Sequence, residues 1–121
     1  MTRSSLIAIG ALNALVAVAA GAFAAHGLRD RLEPRPLEVF ETAARYQMYH
    51  ALAMVLAGLI APRFSSATTA GWIFQAGIVV FSGSLYALAL TDAKVLGAIT
   101  PFGGLAFLVG WAWLAWAAWR G

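Results

Sequence analysis

Ionisable and phenolic side chains gather over one short stretch of an otherwise apolar chain. Residues 41 to 50 include an acid, a base, two tyrosines and a histidine. Such side chains could form a polar relay or bind a ligand just inside a membrane, where ionisable residues commonly mark a functional site. The candidate site residues, in chain order, are His26, Glu41, Arg45, Tyr46, Tyr49, His50 and Tyr86.

A helical stripe orders the charged members of this set. At about 100° per residue, the side chains of Glu38, Glu41, Arg45 and Tyr49 fall along one stripe of a helix. Glu41 precedes Arg45 by four residues, which is the order that favours an ion pair within a helix. We therefore expect Glu41 and Arg45 to pair. The pair would either belong to a ligand site or satisfy itself and fix the depth of the helix, and the sequence leaves both interpretations open.

The two histidines suggest a different chemistry, the ligation of a metal ion or a haem. We expect His26 and His50 to lie at similar depth on neighbouring helices. No obvious third ligand and no haem-attachment motif accompanies them. The simpler hypothesis is that each ring hydrogen-bonds a neighbouring carbonyl or tyrosine, so we assign no metal site and no cofactor.

The composition is that of a membrane protein. Of 121 residues, 62% are hydrophobic and only 11% are charged, whereas a soluble domain is about one quarter charged. The absence of cysteine excludes disulfides, thiolate nucleophiles and cysteine-based zinc sites. The net charge of +3 comes from 8 basic and 5 acidic residues without a basic patch that contains aromatic residues. We attribute it to membrane topology, expect lipids as partners and do not expect nucleic acid.

Four apolar runs predict the architecture, an all-α integral membrane bundle of four helices in up-down-up-down order. The connections are short, so consecutive helices are expected to be antiparallel neighbours. Pro101 suits the first position of the last helix, with Thr100 as its cap. The single transmembrane domain covers residues 1–121, with spans at about 5–27, 38–61, 70–90 and 98–119 and a polar loop at 28–37.

The first run also resembles a secretory signal peptide, because Ala22-Phe23-Ala24 follows an apolar stretch as a small-residue cleavage site would. Leu6 to Ala25 is longer than a usual signal core, and about 20 apolar residues are enough to cross a bilayer. We expect this run to remain as a span.

Basic and aromatic residues give the bundle two different ends. Most of the basic residues lie near the first and third loops, which favours a cytoplasmic location for these loops. Near the opposite end lie four tryptophans typical of an interfacial belt. They are Trp72, Trp113, Trp116 and Trp119.

Small and polar residues on the last two helices predict close packing. Gly71, Gln75, Ser82 and Tyr86 share one helical face, which we interpret as hydrogen-bonding contact between helices. Glycines allow helix backbones to approach closely, within one bundle or between copies. The candidate packing glycines are Gly77, Gly83, Gly103, Gly104 and Gly110.

Four ordered motifs carry a family resemblance over nearly the whole chain. They are Gly21-Ala22-Phe23-Ala24-Ala25-His26-Gly27-Leu28, Phe40 to Leu52, Gly83-Ser84-Leu85-Tyr86 and Gly97 to Gly104. With these motifs the chain resembles the YgdD-like family, small multi-pass inner-membrane proteins of bacteria classed as a domain of unknown function and related to a small eukaryotic transmembrane protein. The resemblance implies a location in the bacterial inner membrane and brings no activity, substrate or cofactor.

Three classes of function stay open from the sequence. The first is a non-enzymatic membrane protein that organises lipid or binds a second copy or a partner subunit. The second is a small oligomeric transporter or channel with its gate or proton site at the end formed by loops one and three. The third is a haem- or metal-binding protein that uses His26 and His50.

Overall fold

A computed structural model describes residues 2–121 and contains only helices and short connections over that range. The first helix ends in a π-helical turn, and a second π-helical turn joins the third helix to the fourth, so that the chain forms four long helical rods. The elements in chain order are α1 (Thr2–Phe23), a π turn (Ala24–Leu28), α2 (Pro34–Ile60), α3 (Ala67–Gly77), a second π turn (Ile78–Ser82), α4 (Gly83–Thr91) and α5 (Val95–Arg120).

The rods run up, down, up and down, as the sequence predicts. Gly58, near the end of α2, lies against the Arg3 carbonyl and the Ile7 side chain at the start of α1. At the other end, Leu28 and Phe40 belong to one buried cluster. The third rod combines α3, the second π turn and α4, and α5 returns along it. The connections are too short for any order other than sequential antiparallel packing.

The start of α2 differs from the predicted span and loop. The helix begins at Pro34, so the polar connection is reduced to residues 29–33. Both Pro34 and Pro36 lie in the first helical turn, where backbone N–H groups have no partner inside the helix and proline is tolerated. Pro34, which the sequence places in the polar loop, therefore initiates the helix.

Three of the four rods are long and apolar enough to cross a membrane. They are Arg3–Leu28, Ala67–Thr91 and Val95–Arg120. Helix α2 has the length, but it carries Glu38, Glu41, Arg45, Gln47 and His50. It is also the helix that packs against α1, α3 and α4. The most polar helix is thus the one with the most protein around it.

The core consists of two buried clusters. The larger includes Leu6, Met54 and Phe74, each fully buried, and connects α1, α2 and the third rod. The smaller surrounds Phe40 at the end formed by loops one and three. Each fully buried side chain of this size stabilises the fold by about 1.5–3 kcal/mol relative to exposure to water. In a bilayer the corresponding gain comes from packing rather than from exclusion of water.

Helix α5 packs on the third rod through reciprocal pairs of phenylalanine and glycine. A side-chain carbon added at Gly77 would lie 2.5 Å from the Phe107 ring, and one at Gly110 would lie 2.6 Å from the Phe74 ring. Each ring fills the space that a missing side chain leaves on the facing helix. Gly103 is tighter still, because an added carbon there would clash with the Phe81 backbone nitrogen.

Two of the predicted packing glycines do not make such contacts. Gly83 has no atom within 4 Å of the position of an added side-chain carbon. At Gly104 the nearest atom is 3.8 Å away, which is ordinary contact distance. Within one copy, Gly83 is therefore not a packing glycine and Gly104 makes only ordinary contact with Phe81, whereas packing between copies stays a prediction for both.

Helix α5 also starts earlier than the sequence predicts. The helix begins at Val95, and Pro101 lies inside it. Thr100 is not a cap, since its hydroxyl donates to the Leu96 carbonyl at 3.1 Å and lies 2.6 Å from the Ser84 hydroxyl. Proline removes the hydrogen bond to the carbonyl four residues earlier. That residue is Gly97, which is exposed near the helix end and can bond to water or lipid headgroups.

We predict that Gly103→Ala destabilises the bundle by about 1–3 kcal/mol, the usual cost of overpacking. The new methyl group would meet the backbone of Phe81, which cannot rotate away. Thermal unfolding followed by circular dichroism in detergent or nanodiscs measures the change. Gly83→Ala is the matched control, and equal unfolding temperatures for both variants would contradict the packing described above.

Candidate functional site

A chain of polar side chains connects the first three rods inside the bundle. The Tyr86 hydroxyl donates to the Gln47 side-chain oxygen at 2.7 Å, and the Gln47 Nε2 donates to Asn13 Oδ1 at 3.0 Å. Asn13 Nδ2 in turn donates to Gln75 Oε1 at 2.7 Å and to the Ile9 carbonyl at 3.1 Å. Because the Ile9 carbonyl can only accept, the Asn13 atom beside it is the amide nitrogen, and the orientation of the other amides follows from it.

This polar network holds helices together and encloses no path. Bonds between buried side chains replace the water that hydrocarbon does not supply. Next to it, Leu6, Met54 and Phe74 fill the centre of the bundle. The centre of the bundle in one copy is therefore packed with side chains.

His50 is buried and both of its ring nitrogens are engaged. The Trp111 indole N–H donates to Nε2 at 3.0 Å, and Nδ1 lies 2.7 Å from the Tyr46 carbonyl. Since indole is only a donor and a carbonyl only an acceptor, the ring carries its proton on Nδ1 and is neutral. The ring stacks on Phe107 with 3.5 Å between centroids. His50 therefore has the geometry of a structural histidine.

The expectation that His26 and His50 share a depth is wrong. His26 is exposed in the first π turn. His50 lies near the level of Gly10, because a side-chain carbon added there would be 2.9 Å from the carbonyl of Ala51. At 1.5 Å per residue, the two histidines are on the order of 20 Å apart along the helix axis. They cannot ligate one metal ion or one haem, and no cluster of candidate ligands occurs elsewhere within residues 2–121.

The expected ion pair between Glu41 and Arg45 is also absent. Within residues 2–121 the one ion pair joins Lys94 to Asp92, at 3.5 Å on the exposed third loop. Arg45 is exposed and Glu41 is half-buried. Both line a groove of ≈ 410 Å³ between α1 and α2. Both residues therefore border this groove without forming an ion pair with each other.

The tyrosines divide between the interior and the surface. Tyr86 points inward and ends the polar network. Tyr46 and Tyr49 are exposed, and their rings pack edge to face with 5.4 Å between centroids. Together with His50, the exposed pair lines a second groove of ≈ 400 Å³ between α2 and α5.

Seven residues of α2 form one continuous exposed or half-exposed surface, which we call the outer stripe. Its first half is charged and phenolic, and its second half consists of leucines that are each more than 50% exposed. A groove lies on either side of it, one towards α1 and one towards α5. The outer stripe comprises Glu38, Glu41, Arg45, Tyr49, Leu52, Leu56 and Leu59.

Comparison with known proteins places this chain in a family. Residues 20–104 match the family described as a protein of unknown function, DUF423. The chain belongs to the DUF423 family. It is 50% identical to the UPF0382 membrane protein YwdK of Bacillus subtilis over 115 residues, 93% of this chain and 94% of the relative. It is also 53% identical to a UPF0382 membrane protein of Staphylococcus epidermidis over 106 residues, 87% of each chain.

These comparisons confirm the expectation of a small membrane protein from a family without an assigned function. The YwdK relative is itself called a membrane protein, which agrees with the apolar rods of this DUF423 chain. No solved structure matches this chain.

The sequence analysis did not predict the residues at the centre of the polar network in this chain. Asn13 is noticeable only as the one polar residue in the run from Leu6 to Ala25, and Gln47 stands among charged and aromatic neighbours. Gln75 was assigned to contact between helices, and its partner is Asn13. A lone amide in an apolar span is a usable signal, because it must find a partner inside the protein.

Charge separates the two ends of this DUF423 bundle. All 5 acidic residues lie near loops one and three. Of the 8 basic residues, three lie at the other end, so five remain to balance the acids. Those three are Arg3, Arg63 and Arg120, and they account for the net charge of +3. The Arg120 guanidinium lies 4.6 Å from the Trp116 ring centroid, so charge and aromatic anchoring coincide.

We predict that Asn13→Leu destabilises the bundle by about 1–3 kcal/mol, since it leaves the Gln47 Nε2 without an acceptor and the Gln75 oxygen without a donor. The unfolding midpoint in detergent measures the change. Thr42→Ala is the control, because the Thr42 hydroxyl bonds only to the carbonyl of Glu38 on its own helix. A midpoint for Asn13→Leu no lower than that of the control would show that the network contributes nothing to stability.

Proposed function

We propose that this protein is non-enzymatic and acts by binding a partner within the bilayer through the outer stripe of α2. One observation carries the proposal. The polar groups inside the bundle bond to one another, whereas Arg45 and Tyr49 are exposed and the half-buried Glu41 lines the same surface groove. The chemistry available to other molecules therefore lies on the outside of the bundle.

The interior groups support a structural role. Both nitrogens of His50 are engaged, and the Ser82 hydroxyl donates to the Ala43 carbonyl at 2.8 Å. A general base needs a free lone pair near the proton it removes. The hydrogen bonds of His50 and Ser82 hold α2 against the third rod and α5 instead.

The position of the charged pair supports a binding role. Arg45 follows Pro34 by 11 residues, so it lies about 16 Å along α2 from the helix start. Gly21 of α1, which lines the same groove, is inside the first apolar run. A charged side chain at hydrocarbon depth is costly unless it reaches the interface or meets a partner. A bound lipid headgroup or a protein surface would supply that partner.

Photo-crosslinking tests this function. A benzophenone amino acid in place of Tyr49 should yield a discrete lipid or protein adduct in native membranes, because the outer stripe is occupied. The same amino acid in place of Phe102, 70% exposed on the apolar face of α5, is the matched control and should yield only diffuse lipid adducts. Arg45→Gln should reduce the discrete adduct. Identical adduct patterns from positions 49 and 102 would contradict the proposal.

We also propose that the protein resides in the bacterial inner membrane with loops one and three in the cytoplasm. The support is the larger number of basic residues in or beside these loops, where Arg29, Arg31, Arg35 and Lys94 stand against three at the other end. The tryptophan-rich end would then face outward.

A cysteine scan tests this orientation, since the chain has no cysteine. In intact cells an impermeant maleimide should label Ser65→Cys in loop two and fail to label Ala93→Cys in loop three until the membrane is permeabilised. Both positions are exposed, and neither substitution changes the charge. The reverse labelling pattern would show the opposite orientation.

A further inference from the structure

The groove between α1 and α2 is bordered by two opposite charges that are not paired with each other. Glu41 and Arg45 both line it, and within residues 2–121 neither takes part in an ion pair. They are four residues apart, which is about 6 Å along the helix axis. Charges at the edge of hydrocarbon need counter-charges. A ligand that suits this groove therefore carries one positive and one negative group.

The remaining lining of the groove is apolar and leaves free space. Ala17 and Gly21 line it from α1, and Ala44 and Met48 line it from α2. No atom lies within 4 Å of a side-chain carbon added at Gly21. The volume of ≈ 410 Å³ falls within the range of small-molecule sites, about 300–1,000 Å³. The groove thus has room for a small charged group with hydrocarbon attached to it.

The outer stripe presents its side chains in the order in which a phospholipid presents its groups. Helix α2 begins at Pro34, at the end formed by loops one and three, and Glu41, Arg45 and Tyr49 follow at increasing depth. In a phospholipid with an amine headgroup, the ammonium lies outermost, and the phosphate, the ester carbonyls and the acyl chains follow. A carboxylate, a guanidinium and a phenol are suitable partners for the first three of these groups, in this order.

The deeper half of the stripe suits the acyl chain. Leu52 and Leu56 lie beyond Tyr49 on α2 and are 55% and 51% exposed. Side chains on an α-helix lean towards its N-terminus, which for α2 is the end formed by loops one and three. The long stem of Arg45 brings its charge still closer to that end. A headgroup that enters from the membrane surface can therefore meet both charges while its acyl chain continues along the leucines.

We propose that the groove between α1 and α2 binds one zwitterionic phospholipid with a primary ammonium group, such as phosphatidylethanolamine. The proposal rests on the proposed function and names the partner of the outer stripe as a lipid. Glu41 accepts hydrogen bonds from the ammonium group, and Arg45 donates hydrogen bonds to the phosphate. The acyl chain passes Tyr49 and lies along Leu52 and Leu56.

The chemistry of the groove discriminates among phospholipids. An anionic phospholipid would pair with Arg45 but would leave Glu41 beside a phosphate without a counter-charge. A trimethylammonium headgroup has the positive charge but no N–H to donate to Glu41. Proteins bind quaternary ammonium groups with cages of aromatic rings, and among the described residues that line this groove Tyr49 is the one aromatic. A primary ammonium group is therefore favoured.

Lipid competition tests the headgroup. The protein is released from nanodiscs that contain equal amounts of phosphatidylethanolamine, phosphatidylcholine and phosphatidylglycerol, and native mass spectrometry counts the lipid that each protein molecule retains. One phosphatidylethanolamine should be retained, and the other two lipids about tenfold less. In a second mixture, N-methylated derivatives of phosphatidylethanolamine should compete until the third methyl group removes the last N–H donor.

Substitution of Glu41 tests the assignment of the ammonium group. Glu41→Leu removes the acceptor and keeps Arg45, so the preference should shift from phosphatidylethanolamine to phosphatidylglycerol. Glu38→Leu is the matched control, because Glu38 is an exposed acid on the same stripe that does not line the groove. This variant should keep the preference of the wild type.

Filling the groove tests its location without a change of charge. Gly21→Leu places a side chain in the groove and should abolish the retention of phosphatidylethanolamine. Gly83→Leu is the matched control and should retain the lipid, since Gly83 lies on α4 away from the groove. At both glycines an added side-chain carbon has no atom within 4 Å. Both variants should therefore fold, which helical circular dichroism establishes.

Three outcomes would overturn the lipid site. They are equal retention of the three phospholipids by the wild type, an unchanged preference in Glu41→Leu, or equal retention by Gly21→Leu and Gly83→Leu. The photo-crosslink from position 49 separates this inference from the proposed function. A discrete adduct that contains a protein would reject the lipid and leave the proposed function standing, whereas a diffuse adduct pattern would reject both.

Discussion

The structure depends on one constraint: in hydrocarbon, a polar group must find its partner inside the protein. Asn13, Gln47, Gln75 and Tyr86 meet this requirement as a single connected chain of hydrogen bonds. Because every member is satisfied by its neighbour, the network specifies how α1, α2 and the third rod are rotated about their axes. The apolar core does not provide this information, since leucine and alanine faces can slide past one another. The network thus defines the arrangement that the clusters around Met54 and Phe40 then stabilise.

The same constraint sorts polar residues into two groups. Those inside the bundle form specific hydrogen bonds, and His50 is the clearest case, with one bond to its own helix and one to Trp111. Those on the outer stripe are exposed or half-exposed at the surface of the bundle. The location of a polar residue, rather than its chemical type, distinguishes structural from interacting groups here. His50 looks more reactive than Tyr49 in the sequence, yet the structure places His50 in packing and Tyr49 on the surface.

The sequence predicts the rods well because span length and apolar runs are properties of consecutive residues. It fails where the answer depends on the distance between helices. Glu41 and Arg45 have the correct spacing for a pair, but spacing does not decide which rotamers two long side chains adopt beside an open groove. His50 follows Pro34 by 16 residues, which is about 24 Å along the helix. It therefore lies far deeper in the bundle than His26, whose depth the sequence predicts it to share. Pro101 fits both a helix start and a helix interior, and only the extension of α5 back to Val95 distinguishes them.

Helix α2 shows how these features depend on one another. Alone it is too polar to enter a bilayer readily, whereas α1 is apolar over more than 20 residues. The two form an antiparallel hairpin in which Asn13 accepts the hydrogen bond of Gln47, so α1 satisfies part of the polarity of α2. The third rod satisfies more through Tyr86 and Ser82. What remains exposed after the bundle has closed is the outer stripe, which no other rod of the same copy covers. The polarity of α2 is therefore satisfied in part by its neighbours in sequence, and its last free side is the surface through which we propose that a partner binds.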